Sequence, residues 1–392
     1  MKKLLGMILS LALVFSCAAV FTGCKKEAKT YEIAVVTDVG QLKDGGFNQG
    51  TYEGAQAFAE ANNKTYKYYQ PANGSDATDN DRVAAMRQAI KNGAKIIVAP
   101  GYLQATAMTT VATESPSVKF VFIDGWTLTD KAGNPLPNVT AVVYKEQESG
   151  YLAGYAAVMD GFTKLGATLG GGGSNPACNR FGYGFVQGAE AAAKVKYAAD
   201  ESKKIAIKYS YKYGSGFSAS AALQTQITGW YSSGTEVVFA CGGSMFSSVK
   251  AAAEENATKD NPDDNPRIIG VDVDQAPLSE YVITSAVKGL KESVQLILKE
   301  YYEKEENWAN LLGGKTSNLG AKEDATGLPT AASSWRFRTF TVAEYKTLFD
   351  GIKNGTVTIK SDVPEDANNP AWLQKDLTKV TIEFESEVST DK

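Results

Sequence analysis

Short apolar runs alternate with amphipathic stretches along most of the chain. Glu32 to Thr37, Tyr66 to Gln70, Lys95 to Ala99, Val118 to Ile123 and Val139 to Tyr144 read as strands, and three of the gaps between them hold helical patterns. Phe47 to Asn62 places Tyr52, Ala55, Phe58 and Ala59 on one face at helical spacing, Asp79 to Asn92 stops at Gly93, and a third helix spans about Gln104 to Glu114. Near-continuous apolar strands separated by helices indicate a parallel sheet covered on both faces.

A second series repeats the alternation. Helices are expected at Glu146 to Asp160, Arg180 to Ala199, Ser218 to Ser232 and Phe246 to Asn256, with strands at Ala167 to Leu169, Ile205 to Tyr211, Glu236 to Ala240, Arg267 to Val271 and Tyr281 to Ala286. Lys288 to Tyr302 reads as a long amphipathic helix. The tail is less legible: Gly313 to Thr330 carries no clear period, Val342 to Asn354 is helical, Asp362 to Pro370 is a surface loop and Val380 to Phe384 is a strand. Two series of similar size predict two α/β lobes, and the cleft between them is the natural place for a ligand.

The first 23 residues stand outside that pattern. Met1-Lys2-Lys3 is basic, Leu4 to Val20 is nearly all apolar, and Phe21-Thr22-Gly23-Cys24 follows, which reads as a secretory leader too short to span a bilayer. Gly23-Cys24 resembles the bacterial lipobox, so Cys24 is the expected site of lipidation and residues 24–30 a tether. Phe21 stands where that motif usually has Leu. One acyl chain holds a membrane weakly, so stable anchoring calls for several, palmitate among them.

Composition narrows the chemistry. The net charge is −4 and becomes two units more negative once Lys2 and Lys3 leave with the leader, and no basic tract is present to hold a phosphate backbone. Nucleic acid is therefore excluded as a partner. Histidine is absent, which removes the commonest general base and metal ligand and argues against a hydrolase or a zinc enzyme. Gly170 to Gly173 follows a strand but lacks the Gly-Lys-Ser/Thr ending of a phosphate loop, and Asp260 to Asn265 lacks calcium-loop spacing. With Cys17 in the leader and Cys24 as anchor, Cys178 and Cys241 remain. Both follow strands of the second series, so a disulfide between them is geometrically open.

Candidate ligand residues gather at strand ends. Asp38 and Asn48 flank the loop after the first strand, with Phe47 exposed at the start of its helix; an ordinary βα loop capped by Asn48 is the alternative. Asp124 ends the fourth strand, or else simply forms a turn before Gly125. Trp126 either walls the cleft or is an exposed tryptophan beside a loop.

These segments carry a resemblance. Val36-Thr37-Asp38-Val39-Gly40, Asp44, Phe47-Asn48-Gln49-Gly50, Phe122-Ile123-Asp124-Gly125, Glu146 to Tyr155, Arg180 to Phe185, Cys241-Gly242-Gly243, Gly270 to Gln275 and Thr284 to Lys288, in that order, resemble the basic membrane protein family of lipoproteins. The resemblance runs from about Tyr31 to Gly351. It implies a substrate-binding component of an ABC importer, monomeric and without cofactor, held on the outer face of the cell membrane and delivering a purine nucleoside to permease and ATPase subunits. It also implies the type I periplasmic-binding fold, with two doubly wound parallel-sheet lobes joined by a three-stranded hinge. The lobes are then 31–144 with about 277–310, and 145–276 with about 311–392, with crossings near Tyr144-Lys145, near Asp274 to Pro277 and after about Asn307.

On that footing Phe47 and Phe217 sandwich the base, though Phe217 also reads as a core aromatic at a helix start. Asp38, Asn48 and Asp124 serve the base edge, Asp272 accepts both hydroxyls of the ribose, Lys288 donates to the ribose oxygens, and Gly242 and Gly243 let backbone approach the sugar. Asp274 reads as a hinge or surface acid. The same fold binding a sugar or riboflavin is the first alternative. A surface adhesin or a nucleoside-cleaving enzyme is the second.

Overall fold

The computed structural model describes residues 29–38, 41–171, 175–210, 216–258, 264–362 and 373–385. The leader, Cys24 and the tether to residue 28 lie outside the described residues, as do Gly172 and Gly173 and most of the Asp260 to Asn265 turn.

Within Tyr31–Lys392 there are two sheets. The first contains β1 (Ile33–Val36), β2 (Tyr66–Tyr69), β3 (Ile96–Pro100), β4 (Lys119–Ile123) and β5 (Val139–Tyr144), joined at its edge by β11 (Thr316–Leu319) in the order β11-β5-β4-β3-β1-β2, all parallel. Helices α1 (Phe47–Ala61), α2 (Asp79–Lys91) and α3 (Ala105–Glu114) belong to this series. The second sheet contains β6 (Lys164–Leu169), β7 (Ile205–Ser210), β8 (Val237–Cys241), β9 (Arg267–Asp272), β10 (Val282–Lys288), β12 (Thr326–Gly327) and β13 (Val380–Phe384), in the order β12-β10-β9-β8-β6-β7-β13. Only β12 runs antiparallel to its neighbour among these strands. With it go α4 (Glu146–Asp160), α5 (Pro176–Lys196), α6 (Ala221–Ser232), α7 (Met245–Asn256) and α9 (Val342–Lys353), while α8 (Leu290–Glu303) returns to pack on α1 and the first sheet.

The central strands bury every residue, as β1, β3 and β8 show, because each sheet is covered on both faces. Ile33, Val35, Ile96 and Val98 share a core with Leu290, Val294 and Leu298 of α8. The helices α4 and α5 approach more closely than side chains normally allow. A Cβ at Gly150 or Gly154 would stand 2.1 Å from the Phe181 or Phe185 carbonyl oxygen, and one at Gly184 would stand 2.1 Å from that of Gln147.

Two boundaries differ from expectation. Strand β10 pairs in parallel with β9, so the chain leaves the second sheet only after Lys288, not near Asp274 to Pro277. Strand β11 pairs with β5, so the last crossing follows Leu319, not Asn307. Residues 282–288 thus belong to the second sheet and 316–319 to the first, and Lys288 ends a strand instead of opening a helix. The three crossings are bonded to one another: Lys145 N donates to Leu319 O at 2.8 Å, Gly289 N to Ala325 O at 2.8 Å, and Ser149 Oγ to Val287 O at 2.6 Å.

Candidate functional site

The carboxyl ends of β1, β4, β8, β9 and β10 face a shared cavity between the sheets. All nine sequence-selected residues line it: Asp38, Phe47, Asn48, Asp124, Phe217, Gly242, Gly243, Asp272 and Lys288. About 680 Å³ of space free of protein atoms lies among these residues, part of it open to solvent.

On the first-lobe side, the amides at the start of α1 converge on Asp44 and not on Asn48. Gly46 N and Asn48 N donate to the Asp44 carboxylate at 2.9 Å each, and Gln49 N at 3.1 Å. The Asn48 side chain is thereby released from capping, which sets aside the alternative of an ordinary capped βα loop. Its Nδ2 donates to Asp38 Oδ1 at 3.2 Å and to Asp44 Oδ2 at 3.1 Å, which fixes the amide orientation and turns Oδ1 away. That oxygen is buried without a hydrogen-bond partner. Burial pushes the Asp44 carboxyl above its ordinary range despite the amides around it. Gly101 makes room for Asp38, since a Cβ there would stand 2.3 Å from its Oδ2.

At the centre one ammonium meets three carboxylates. Lys288 Nζ lies 2.6 Å from Asp124 Oδ2, 3.3 Å from Asp272 Oδ1 and 3.9 Å from Glu146 Oε1, and 4.6 Å from the centroid of the Phe47 ring. Asp124 and Asp272 both hold left-handed backbone, φ 56° and 68°, which aims their side chains back across the strand ends. Burial raises the Asp272 carboxyl to about 6, against the pull of Lys288. Burial works against the Lys288 charge too, but Asp124, Asp272 and Glu146 outweigh it and hold the ammonium well above its usual value. Asp124 Oδ1, like Asn48 Oδ1, is buried with no donor.

The second lobe supplies the opposite wall. Phe217 does not start a helix: α6 begins at Ala221 behind the cap Ser220, and the ring stands before it, half-buried. It rests on glycine. A Cβ at Gly170 would stand 2.5 Å from the ring, and one at Gly243 would stand 3.0 Å from Phe217 Cβ. Gly242 and Gly243 both hold positive φ, 149° and 42°, and bring backbone to the cavity surface.

Several lining residues had no ligand role in the sequence reading: Asp44 and Phe181, which stand in the motifs of the resemblance, and Gly101, Asn175 and Ser244; nor had the Glu146–Arg180 pair behind the cavity. Asn175 and Pro176 had a readable signal, a cap followed by proline at the first helical position, which starts α5 four residues earlier than expected. Cys178 and Cys241 are both buried and free, Cys178 Sγ lying 3.6 Å from Cys241 O. Trp126 is absent from the cavity and packs on Phe122, 47% exposed. Asp274 accepts from Ala276 N at 3.0 Å and from the Ser334 hydroxyl, so it braces the turn after β9.

The arrangement suits a neutral ligand rich in donors. Carboxylates outnumber the cations they touch, two buried acceptors lack donors, and aromatic rings enter from both lobes. A ligand carrying further negative charge would face Asp38, Asp44, Asp124 and Asp272 together.

Comparison with known proteins shows the family and the fold. The family model described as ABC transporter substrate-binding protein PnrA-like matches residues 31–385. A relative from Lactococcus lactis subsp. cremoris, named ABC transporter nucleoside-binding protein BmpA, is 31% identical over 69% of this chain and 74% of its own length. A Listeria innocua protein named CD4+ T-cell-stimulating antigen is 29% identical over 65% of this chain and 66% of its own. In structure, a solute-binding protein of an ABC transporter system from Aeropyrum pernix K1 aligns with TM-score 0.65 over 86% of this chain and 95% of that one, at 20% identity, a likeness of fold.

Proposed function

The chain belongs to the Bmp family of PnrA-like ABC transporter substrate-binding proteins, and from that premise we propose that it captures purine nucleosides in the cavity between its lobes and delivers them to a membrane permease. The observation that carries this reading is the pair of rings, Phe47 from the first lobe and Phe217 from the second, set at the same cavity as the Asp272–Lys288 pair.

A purine has two faces to stack, and each stacked face contributes roughly 1–3 kcal/mol. A ribose diol offers two donors, which a carboxylate accepts in a fork, and Asp272 at the end of β9 is the acceptor with Lys288 beside it. The unpartnered oxygens of Asn48 and Asp124 suit the N–H groups of a base edge. Gly242 and Gly243 let main chain reach the sugar. The Lactococcus relative's name, which specifies nucleosides, points the same way. Enzymatic cleavage finds no support in the family.

The route of delivery follows from the same reading. Cys24, lipidated after removal of residues 1–23, holds the monomeric protein on the outer face of the membrane, and the described helices include none long and apolar enough to cross it. Ligand contacts made by both lobes at once favour a closed form, and the permease recognises that form.

Thermal unfolding of the protein lacking residues 1–24 tests the ligand class, because a ligand selective for the native state raises its stability by mass action. Inosine, guanosine and adenosine are expected to raise the melting temperature where ribose, galactose and riboflavin do not, and Asp272→Ala is expected to abolish the shift. Stabilisation by a sugar or riboflavin alone would leave the transport role and remove the nucleoside.

A further inference from the structure

Glu146 is a fully buried acid that does not line the cavity, and binding as described above makes no use of it. It opens α4 immediately after the first crossing. Its Oε2 accepts from Arg180 Nε at 2.6 Å, while Oε1 has no hydrogen-bond partner and lies 3.9 Å from Lys288 Nζ. Arg180 stands near the start of α5, and the glycine-to-carbonyl packing of α4 on α5 holds the two helix starts in one fixed relation. A buried carboxylate with one oxygen clamped and the other bare is costly unless the bare oxygen serves a neighbour. The neighbour within reach is the lysine of the binding site.

We infer that Glu146, clamped by Arg180, is a positioning residue that holds the Lys288 ammonium in place at the cavity and receives it when a ligand occupies Asp124 and Asp272. An ammonium has three N–H donors, and the three carboxylates around Lys288 are those of Asp124, Asp272 and Glu146. A ligand donor that takes Asp124 or Asp272 displaces a lysine bond. A short move of the side chain toward Glu146 Oε1 then replaces it without leaving the charge unpaired. Because Lys288 ends β10 at the second crossing and Glu146 follows the first, the same contact lies across the connection between the lobes.

This inference rests on the nucleoside reading for its binding readout, so the test has two arms. Glu146→Gln leaves Arg180 unpaired and risks the fold, and the double variant Glu146→Gln/Arg180→Gln keeps a neutral hydrogen-bonded pair in the same space. In the first arm the ammonium signal of Lys288 is followed by NMR in unliganded protein with labelled lysine, assigned by its loss in Lys288→Arg. A slowly exchanging signal is expected in the wild type, broadened or lost in the double variant. In the second arm purine nucleoside affinity is measured against pH. The double variant is expected to bind about tenfold more weakly or worse. Its affinity midpoint is expected to move up from about 6, because a displaced Lys288 no longer favours ionised Asp272. The other charged and titratable groups facing this cluster are Asp124, Asp44, Tyr144, Cys178 and Cys241, and all are retained in both proteins. A purely structural role would lower thermal stability and leave the midpoint and the lysine signal unchanged, and that result would overturn the inference. If the wild type binds no purine nucleoside, the preceding reading fails and the lysine signal alone decides this one.

Discussion

The most informative residue is Asp272, because its environment makes opposite demands on stability and binding. An ordinary aspartate titrates near ~3.9; here burial raises it to about 6. The native state therefore holds this proton more tightly than the unfolded chain does. Its contribution to stability is present in full below about pH 4, is lost as pH rises toward about 6, and is flat above. Asp272→Asn has no ionised form to bury, so the unliganded variant is expected to be more stable than wild type at pH 7, by an amount on the order of 1–3 kcal/mol, with the gap closing toward pH 4 in urea titrations. Binding should move the other way. The fork to a diol needs the charged form, so nucleoside affinity is expected to fall as pH drops through about 6, and Asp272→Asn to bind at least tenfold more weakly at pH 7 by calorimetry. Asp272 was legible in the chain as a strand-end residue, whereas Lys288 reads there as the start of a helix. The raised carboxyl and the crowding of three acids on one ammonium were not legible, because they depend on β9, β10, β4 and α4 meeting in space.

Among the elements, α4 and α5 form the most closely packed helix pair near the site. Gly150→Ala would drive a methyl group to 2.1 Å from the Phe181 carbonyl oxygen, which neither helix can relieve without moving. A loss of about 1–3 kcal/mol in chemical denaturation is expected, with weaker ligand binding because Glu146 and Arg180 separate. Gly229→Ala in α6, where an added Cβ meets nothing within 4 Å, is the matched control and should cost little or stabilise. The alternation of elements was readable because both sheets are doubly covered, so their strands appear as plain apolar runs. The errors fall where that signal is weak. Strand β11 is Thr-Ser-Asn-Leu at a sheet edge, with three exposed residues, and the apolar pattern had nothing to mark there. Lys288 ends a strand and precedes a helix by one residue, so its amphipathic successor absorbed it in the sequence. Both errors moved a lobe boundary without moving any candidate residue out of the cavity.

For the whole molecule, capture requires two lobes that close on a ligand touching both. The rings at Phe47 and Phe217 come from different lobes, so each single change to alanine should weaken nucleoside binding by roughly 1–3 kcal/mol without removing ribose contacts. Scattering in solution is expected to show a smaller radius of gyration on adding nucleoside, lost in the Phe47→Ala/Phe217→Ala pair. The measurement that tests the central claim most directly is calorimetric titration of the protein lacking residues 1–24, first unfolded and refolded to remove any carried ligand, with guanosine, inosine, ribose and riboflavin. Saturable binding of the purine nucleosides at micromolar affinity or tighter, a negative heat-capacity change from buried rings, and no heat from ribose or riboflavin is the predicted result. Saturable binding of ribose or riboflavin with no response to any purine nucleoside would contradict it.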